Sequence, residues 1–319
     1  MSTKQEFNYG GQAVIEGVMM RGAQQVAVAV RAPDGQIVVQ QEPLTAAIYT
    51  SRVGKWPFVR GLALLWDALG LGMRALMWSA DVAIRDEKDA SGEQASFAGP
   101  VAWGTVAVSL AFGIGLFFIL PLFISRLIES WIPSHLLANI TEGVVRLAIF
   151  LGYLVAIRRM GEIQRVFSYH GAEHKTINAY EAGAELTPES VRRFSTLHPR
   201  CGTGFLLVVM VVSIFVFSLL GRPNFILMVA SRILLIPVVA AISYEFIRWS
   251  ARHYANPSVR ALITPSLMLQ KLTTNEPDLS MLEVAIVSLK HVLVAEGILA
   301  PEAAEVIECG TDAEAPALV

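Results

Sequence analysis

Long runs of apolar residues separated by short polar segments dominate the chain after its first hundred residues. An α-helix needs about 20 apolar residues to cross the ~30 Å hydrocarbon core of a bilayer. We predict four membrane-spanning helices, at Val101–Ile128, Val144–Ile157, Gly204–Leu220 and Phe225–Ile247. The second run is short and contains Arg146, so a buried core helix is its alternative.

The first fifty residues show a different pattern. Two alternating or β-branched runs, QQVAVAVRAP and QIVVQQEPL, are joined by the turn sequence Pro33-Asp34-Gly35 and predict a small β element. A glycine-rich segment, GGQAVIEGVMMRG, precedes them. We favour an irregular strand edge for it, because glycine permits tight turns. The alternative is a loop that packs onto a functional site and offers Glu16 and Arg21.

The remaining segments complete the predicted division of the chain. Leu62–Val82 is apolar but interrupted by Asp67, Arg74 and Asp81, which is typical of an amphipathic helix at a membrane interface. We divide the chain into a β-rich segment (1–50), an amphipathic helix and polar linker (51–99), a membrane domain with cytoplasmic metal-site loops (100–300) and a disordered acidic tail (301–319). The predicted fold is mainly α, a polytopic membrane protein with about four transmembrane helices, a small N-terminal β element and cytoplasmic helical loops.

Composition and charge agree with a membrane protein. Of 319 residues, 54% are hydrophobic and 16% charged, whereas charged residues make up about a quarter of a soluble domain. A net charge of −2 gives no basis for nucleic-acid binding. Two cysteines cannot form a disulfide framework, and the first residues lack the apolar stretch of a cleavable signal peptide.

The distribution of basic residues predicts an orientation. Lysines and arginines cluster before the first span, between the second and third, and after the fourth. The positive-inside rule then places both termini and the central loop in the cytoplasm. Arg146 and Arg232 would fall toward the outer ends of their spans, where we expect them to snorkel to the interface. A buried arginine with a functional role is the less favoured alternative.

The central loop contains the clearest chemical motif. Met160–Glu181 is predicted to be a helix that ends at Gly183, and it contains His170, Glu173 and His174 in the pattern H-x-x-E-H. Residues four apart lie one turn above each other, so two imidazoles can bind one metal ion. Zinc is the predicted ion, and another divalent metal is the alternative. Glu173 could act as the general base toward a water molecule that the metal activates.

A third ligand has to come from elsewhere in the chain, and the choice decides the function. We favour Glu245, at the cytoplasmic end of the fourth span; Glu276 and Glu181 are alternatives. A single carboxylate would leave a coordination position open, as in catalytic zinc sites, whereas His198 and Cys201 together would close a structural tetrahedron. The histidines could also be ordinary polar residues on an exposed helix face.

Two basic residues flank these candidates. Lys175 and Arg200 are either positive-inside charges or binding groups for an anionic substrate.

These motifs resemble the YqhQ-like bacterial membrane proteins, a domain of unknown function that carries the label of a metal-dependent enzyme. The segments that carry the resemblance are Gly10–Arg21, Tyr169–Ile177, His198–Thr203, Ser243–Glu245 and Leu272–Asp278. The resemblance implies a multi-pass protein of the bacterial inner membrane and a metal-dependent activity without a defined reaction.

Together these observations favour a membrane-embedded, zinc-dependent hydrolase that acts at the cytoplasmic face on a peptide or a lipid-derived substrate. The alternative is a non-enzymatic scaffold or assembly factor with a structural His/Cys zinc site. A metal transporter is disfavoured because the best spans lack inward-facing acids and histidines. The expected partners are the lipid bilayer and unidentified proteins, and a homo-oligomer stays open.

Overall fold

The computed structural model describes residues 9–44, 56–84, 100–128, 131–132, 134–220 and 224–303. The predicted linker at 86–99 and almost all of the predicted tail at 301–319 lie outside these residues. The chain is mainly helical with a small N-terminal sheet, as predicted. The strands are β1 (Gly10–Val14), β2 (Gly17–Arg21), β3 (Gln25–Arg31) and β4 (Ile37–Pro43). The helices are α1 (Val59–Ala83), α2 (Pro100–Ile114), α3 (Leu120–Leu127), α4 (His135–Ile157), α5 (Gly161–Glu181), α6 (Pro188–Val191), α7 (Gly202–Ser218), α8 (Phe225–Leu234), α9 (Ile236–Arg252), α10 (Pro257–Thr273) and α11 (Leu279–Ala295).

The four strands form an antiparallel meander in the order β1-β2-β3-β4. The glycine-rich segment is a regular hairpin of β1 and β2, so our preferred interpretation of it as an irregular strand edge was wrong. Its two-residue turn places Glu16 at φ 50°, a left-handed conformation that Gly17 and the strand pairing fix. The hairpin therefore presents a defined surface to its neighbours.

Both faces of the sheet are buried, which explains why β2 and β3 are almost continuously apolar. Val18, Met20, Ala27 and Ala29 belong to a core shared with α5 and α11. The alternate residues of the same strands, among them Val28, belong to a second core with α1. The sheet is thus the middle layer between α1 and the α5/α11 pair.

Helix α1 is amphipathic, as predicted, but one face of it packs on the sheet. Leu71, Ala75 and Trp78 are buried there. A second stripe points away from the sheet and contains Trp66 and Leu69, which are 81% and 62% exposed. The helix therefore has an unpartnered apolar surface within the described part of the chain.

Among the described residues, three helices are long and apolar enough to cross a membrane: Trp103–Leu127, His135–Ile157 and Ile226–Arg252. The predicted short span at Val144–Ile157 is part of the 23-residue α4, so its length no longer argues against it. The predicted span at Gly204–Leu220 is the 17-residue α7. At 1.5 Å per residue α7 is about 25 Å long, slightly shorter than a ~30 Å core. Of the four predicted spans, three thus lie in helices of spanning length and the fourth is this shorter apolar helix.

Two of the long helices have local irregularities. A π-helical turn, Gly115–Ile119, joins α2 to α3. Helix α8 ends at Leu234 and α9 begins at Ile236, so the helix is interrupted at Leu235. Pro237 follows two residues later and has no N–H to donate to the preceding turn.

A cluster of charges is buried between α4 and α8. The Arg232 guanidinium donates to Glu142 Oε2 and to Asn139 Oδ1, at 3.0 Å each. Arg146 donates to Glu142 Oε1 at 2.8 Å and to the Phe117 carbonyl, in the π-helical turn, at 3.1 Å. Arg146 is only 3% exposed and Arg232 2%. The snorkelling prediction was therefore wrong, because one carboxylate holds both guanidinium groups inside the helix bundle.

Candidate metal centre

Helix α5 carries the H-x-x-E-H motif as predicted, from Gly161 to Glu181. It ends in a left-handed glycine, Gly183, at φ 69°. The N–H of Ala184 donates to the carbonyl of Ala179, the hydrogen bond that closes a glycine-terminated helix. The histidines lie on the buried side of α5, so the interpretation of them as polar groups on an exposed face was wrong.

The two imidazoles are oriented by backbone carbonyls on their Nδ1 side. His170 Nδ1 lies 2.8 Å from the Thr273 carbonyl oxygen, and His174 Nδ1 lies 2.5 Å from that of Thr196. A carbonyl oxygen can only accept, so each ring donates through Nδ1, and in a neutral ring the Nε2 lone pair is then available to accept a proton or to bind a metal ion. Ligating histidines are held in this way by an outer hydrogen bond.

Cys201 supplies a third donor. Its Sγ lies 3.2 Å from His170 Nε2, and the ligand atoms of His170, His174 and Cys201 all lie within 4.8 Å of one another. Donor atoms around a tetrahedral zinc are roughly 3.3–3.8 Å apart, given bonds of about 2.0–2.3 Å. His174 Nε2 is fully buried and has no hydrogen-bond partner. The three residues could therefore hold a metal ion once their donor atoms draw closer together.

The loop that brings Cys201 to α5 is fixed by polar side chains. Asn178 donates to the carbonyls of Ser195 and Leu197, at 2.8 and 3.1 Å. On the other side, the Gln270 side chain accepts from His198 N and donates to His198 O. The loop is thus anchored to both α5 and α10 immediately before Cys201.

Glu173 lies beside the three donors. Its Oε2 is 3.9 Å from His170 Nε2, and the carboxylate accepts a hydrogen bond from the backbone N–H of Gly11. A Cβ on Gly11 would lie 2.5 Å from the Met19 carbonyl and 2.9 Å from Glu173 Cγ, so only glycine fits this part of β1. Burial raises the pKa of the Glu173 carboxyl, which His170 and the Gly11 N–H partly oppose.

The β1/β2 hairpin therefore packs onto the site helix, and of the two residues singled out from the sequence Glu16 contacts α5 whereas Arg21 does not. Glu16 binds Arg165 and the Tyr169 hydroxyl at the first half of α5. Arg21 pairs with Asp67 of α1 at 3.5 Å.

The structure does not bring the predicted carboxylate ligands into the cluster. Glu245 accepts hydrogen bonds from Arg60 and from the N–H of Phe58, and these contacts connect α9 to α1. Because Glu245 is engaged there, the third donor next to the two histidines is Cys201 instead. Glu276 pairs with Lys175 and is 65% exposed at its side chain. Glu181 binds Arg200 and lies 3.8 Å from His198 Nε2.

The two basic residues have structural partners. Lys175 Nζ donates to the carbonyls of Arg192 and Phe194 and to the Glu276 carboxylate. All three of its protons are used, so the alternative that Lys175 binds an anionic substrate is not supported by these contacts. Arg200 pairs with Glu181 and keeps 27% of its side chain exposed.

His198 lies next to the cluster but outside the group of three. Its ring centroid is 5.7 Å from that of His174, and its Nε2 is buried without a hydrogen-bond partner. Burial lowers the pKa of His198, although Glu181 opposes this.

Gly171, between the two histidines, is required by close packing. A Cβ there would lie 2.1 Å from the carbonyl oxygen of Asn275, in the segment that provides the Thr273 carbonyl to His170. We expect Gly171→Ala to destabilise the fold by about 1–3 kcal/mol through overpacking, measured by thermal unfolding in detergent. Gly161→Ala in the same helix meets nothing within 4 Å and should be neutral or slightly stabilising. Equal effects of the two substitutions would contradict this assignment.

Comparison with known proteins supports the resemblance drawn from the motifs. A family model described as "Protein of unknown function (DUF1385)" matches residues 56–295, which include every residue of the cluster. The uncharacterized protein YqhQ of Bacillus subtilis (strain 168) is 34% identical over 297 residues, covering 91% of this chain and 93% of that protein. No solved structure matches the chain. Neither description names a metal or a reaction.

Proposed function

Because this chain belongs to the DUF1385 family, whose description assigns no activity, we propose from the site geometry that it is a membrane-inserted, zinc-dependent hydrolase. The observation that carries the proposal is the Nε2 of His174, which is buried and has no hydrogen-bond partner. It lies within 4.8 Å of a ligand atom of His170 and of Cys201 Sγ. An isolated buried imidazole nitrogen without a partner is costly, and a metal ion would satisfy it. Another divalent cation with affinity for nitrogen and sulfur would fit the same donors.

Three protein donors favour catalysis over a purely structural site. Zinc sites with three protein ligands keep a position for water or substrate, and the bound ion supplies Lewis-acid chemistry and a nucleophilic water near neutral pH. Glu173 would accept the proton of the attacking water and return it to the leaving group. Its place 3.9 Å from His170 Nε2 suits a general base.

Membrane insertion is part of the same proposal. It is supported by the three long apolar helices and by the exposure of their apolar side chains. The basic segments favour an orientation with the site and both termini in the cytoplasm, at the inner membrane of a bacterium.

A structural zinc site in a scaffold protein is the second candidate, and His198 is the observation that favours it. Its Nε2 makes no hydrogen bond and lies 3.8 Å from Glu181, and its ring centroid is 5.7 Å from that of His174, so a movement toward the cluster would make it a fourth ligand. That movement would close the coordination shell.

The two functions separate in one set of variants. The full-length chain is purified in detergent, zinc is measured by mass spectrometry, and hydrolysis is followed with p-nitrophenyl esters of several acyl lengths. For the hydrolase we expect about one zinc per wild-type chain, and a Glu173→Gln variant that keeps the zinc and loses ester cleavage.

His198→Gln provides the contrast. If the protein is the hydrolase, the His198→Gln variant should bind as much zinc as wild type. If it is a scaffold with His198 as the fourth ligand, the variant should lose its zinc. Wild type without stoichiometric metal would contradict both functions.

A further inference from the structure

One side of helix α1 carries an apolar stripe that the described part of the chain leaves exposed. Four of its members follow one another at spacings of three, four and three residues: Trp66, Leu69, Met73 and Leu76. These spacings place the four side chains in a line on one side of the helix, over about 15 Å. A contiguous apolar surface of this kind marks a site where a membrane or a partner binds.

The charged residues of α1 lie on a different side of the helix. Asp67, Arg74 and Asp81 follow one another at intervals of seven residues. At 3.6 residues per turn, this charged strip lies about 120° around the helix from the apolar stripe. The sheet covers a third side, where Leu71 and Trp78 are buried. The stripe is therefore a separate apolar surface that neither the sheet nor the charged strip uses.

The start of α1 is fixed to the last turns of the spanning helix Ile226–Arg252. Arg60 donates a hydrogen bond to Glu245, and Gly61 packs so closely on Tyr244 that a Cβ would lie 2.8 Å from its ring. Glu245 lies seven residues, or about 10 Å, before the end of this spanning helix. Helix α1 thus begins within about two turns of the point where the spanning helix ends.

Exposed aromatic side chains surround this junction. Trp249 lies one turn beyond Glu245 on α9, and Trp56 and Phe58 lie just before α1; all three are exposed. Tryptophan is enriched where a membrane meets water, because its ring is apolar and its N–H is polar. The exposed apolar surface therefore continues from the spanning helix to the stripe on α1.

We propose that α1 lies along the cytoplasmic surface of the bilayer, with its apolar stripe buried among the acyl chains of the inner leaflet. The proposal rests on the membrane insertion proposed above and is independent of the hydrolase activity. Amphipathic helices bind a membrane in this way, with the apolar side at the boundary between headgroups and acyl chains. Because another side of α1 packs on the sheet, the helix attaches the sheet to the bilayer.

A second copy of the chain is the competing occupant of the stripe. Alternating spacings of three and four residues also occur in the seam of a coiled coil, whose bordering positions usually carry charges. The residues that border this stripe are all uncharged: Ala63, Leu65, Gly70, Gly72, Met77 and Ser79. Gly72 and Ser79 are moreover buried against the sheet, which hinders the approach of a second helix. Lipid is therefore the favoured occupant.

The test places the photoreactive amino acid p-benzoylphenylalanine at Trp66 or at Leu76 of the full-length chain, in vesicles of phosphatidylethanolamine and phosphatidylglycerol. After irradiation, covalent adducts are identified by mass spectrometry and gel electrophoresis. We expect phospholipid adducts at both positions, in yields within about threefold of the yield at Val155, which is exposed on the spanning helix α4. Glu185, exposed in the loop after α5, should give a yield at least about tenfold lower.

Every other outcome contradicts the proposal. Cross-linked dimers, or adducts within one chain, would show that protein rather than lipid covers the stripe. Yields as low as at Glu185 would show that water covers it, and lipid adducts at Trp66 alone would show that α1 leaves the membrane after its first turns. Absence of lipid adducts at Val155 would overturn membrane insertion itself. If a probe at Trp66 or Leu76 prevents folding, as measured by thermal unfolding, Leu69 or Met73 replaces that position.

Discussion

Replacing Glu142 with Gln is expected to lower the free energy of unfolding by about 3–5 kcal/mol, the usual cost of removing one partner from a buried ion pair. Glu142 accepts hydrogen bonds from both Arg146 and Arg232, and all three side chains are at most 3% exposed. The neutral amide would leave two guanidinium groups uncompensated. Thermal unfolding of the detergent-solubilised chain, followed by tryptophan fluorescence, measures the effect.

Two further variants show whether charge is the cause. Glu185→Gln removes an exposed carboxylate and should change stability by less than about 0.5 kcal/mol. The double variant Glu142→Gln/Arg232→Gln, which removes opposite charges together, should be less destabilised than the sum of its single variants. A Glu142→Gln variant as stable as wild type would show that the cluster is not a buried network of this kind.

The second large effect is expected at the metal cluster. Loss of a residue that hydrogen-bonds to a metal ligand lowers metal affinity by up to about a hundredfold. His174→Gln removes a ligand itself, so we expect it to lower zinc affinity by more than about a hundredfold. Zinc content after purification and competition with a chelator of known affinity measure the change.

His253→Gln is the matched control, since His253 is exposed at the end of α9. It should bind zinc as wild type does. If His174→Gln retained wild-type affinity, His174 would not be a ligand, and the proposed function would lose its main support.

Local sequence signals predicted the elements of the site well. The spacing of His170 and His174 and the glycine at Gly183 predicted the helix and its end, because both depend on neighbours within one or two turns. The identity of the third donor did not follow in the same way. Cys201 reaches the histidines only because Asn178 and Gln270 fix the intervening loop from two different helices.

Contacts between residues that are far apart in the sequence also explain why other predictions differed from the structure. Hydropathy placed Arg146 and Arg232 in apolar runs but could not show that Glu142 lies between them, so snorkelling was the simplest expectation. Glu245 ends an apolar run, as a ligand near the interface could, yet Arg60 of α1 occupies it. The glycines of β1 were compatible with either a tight turn or a close approach, and the sequence could not decide between them because the side chain that packs on Gly11, Glu173, lies more than 150 residues away.

The Glu142 cluster also constrains how the chain could be assembled in a bilayer. A guanidinium group released alone into hydrocarbon is costly. Arg146 pairs with Glu142 within α4, whereas Arg232 of α8 reaches this carboxylate only when α4 and α8 are side by side. Helix α8 could then not partition into lipid by itself during synthesis and would have to enter the bilayer next to α4.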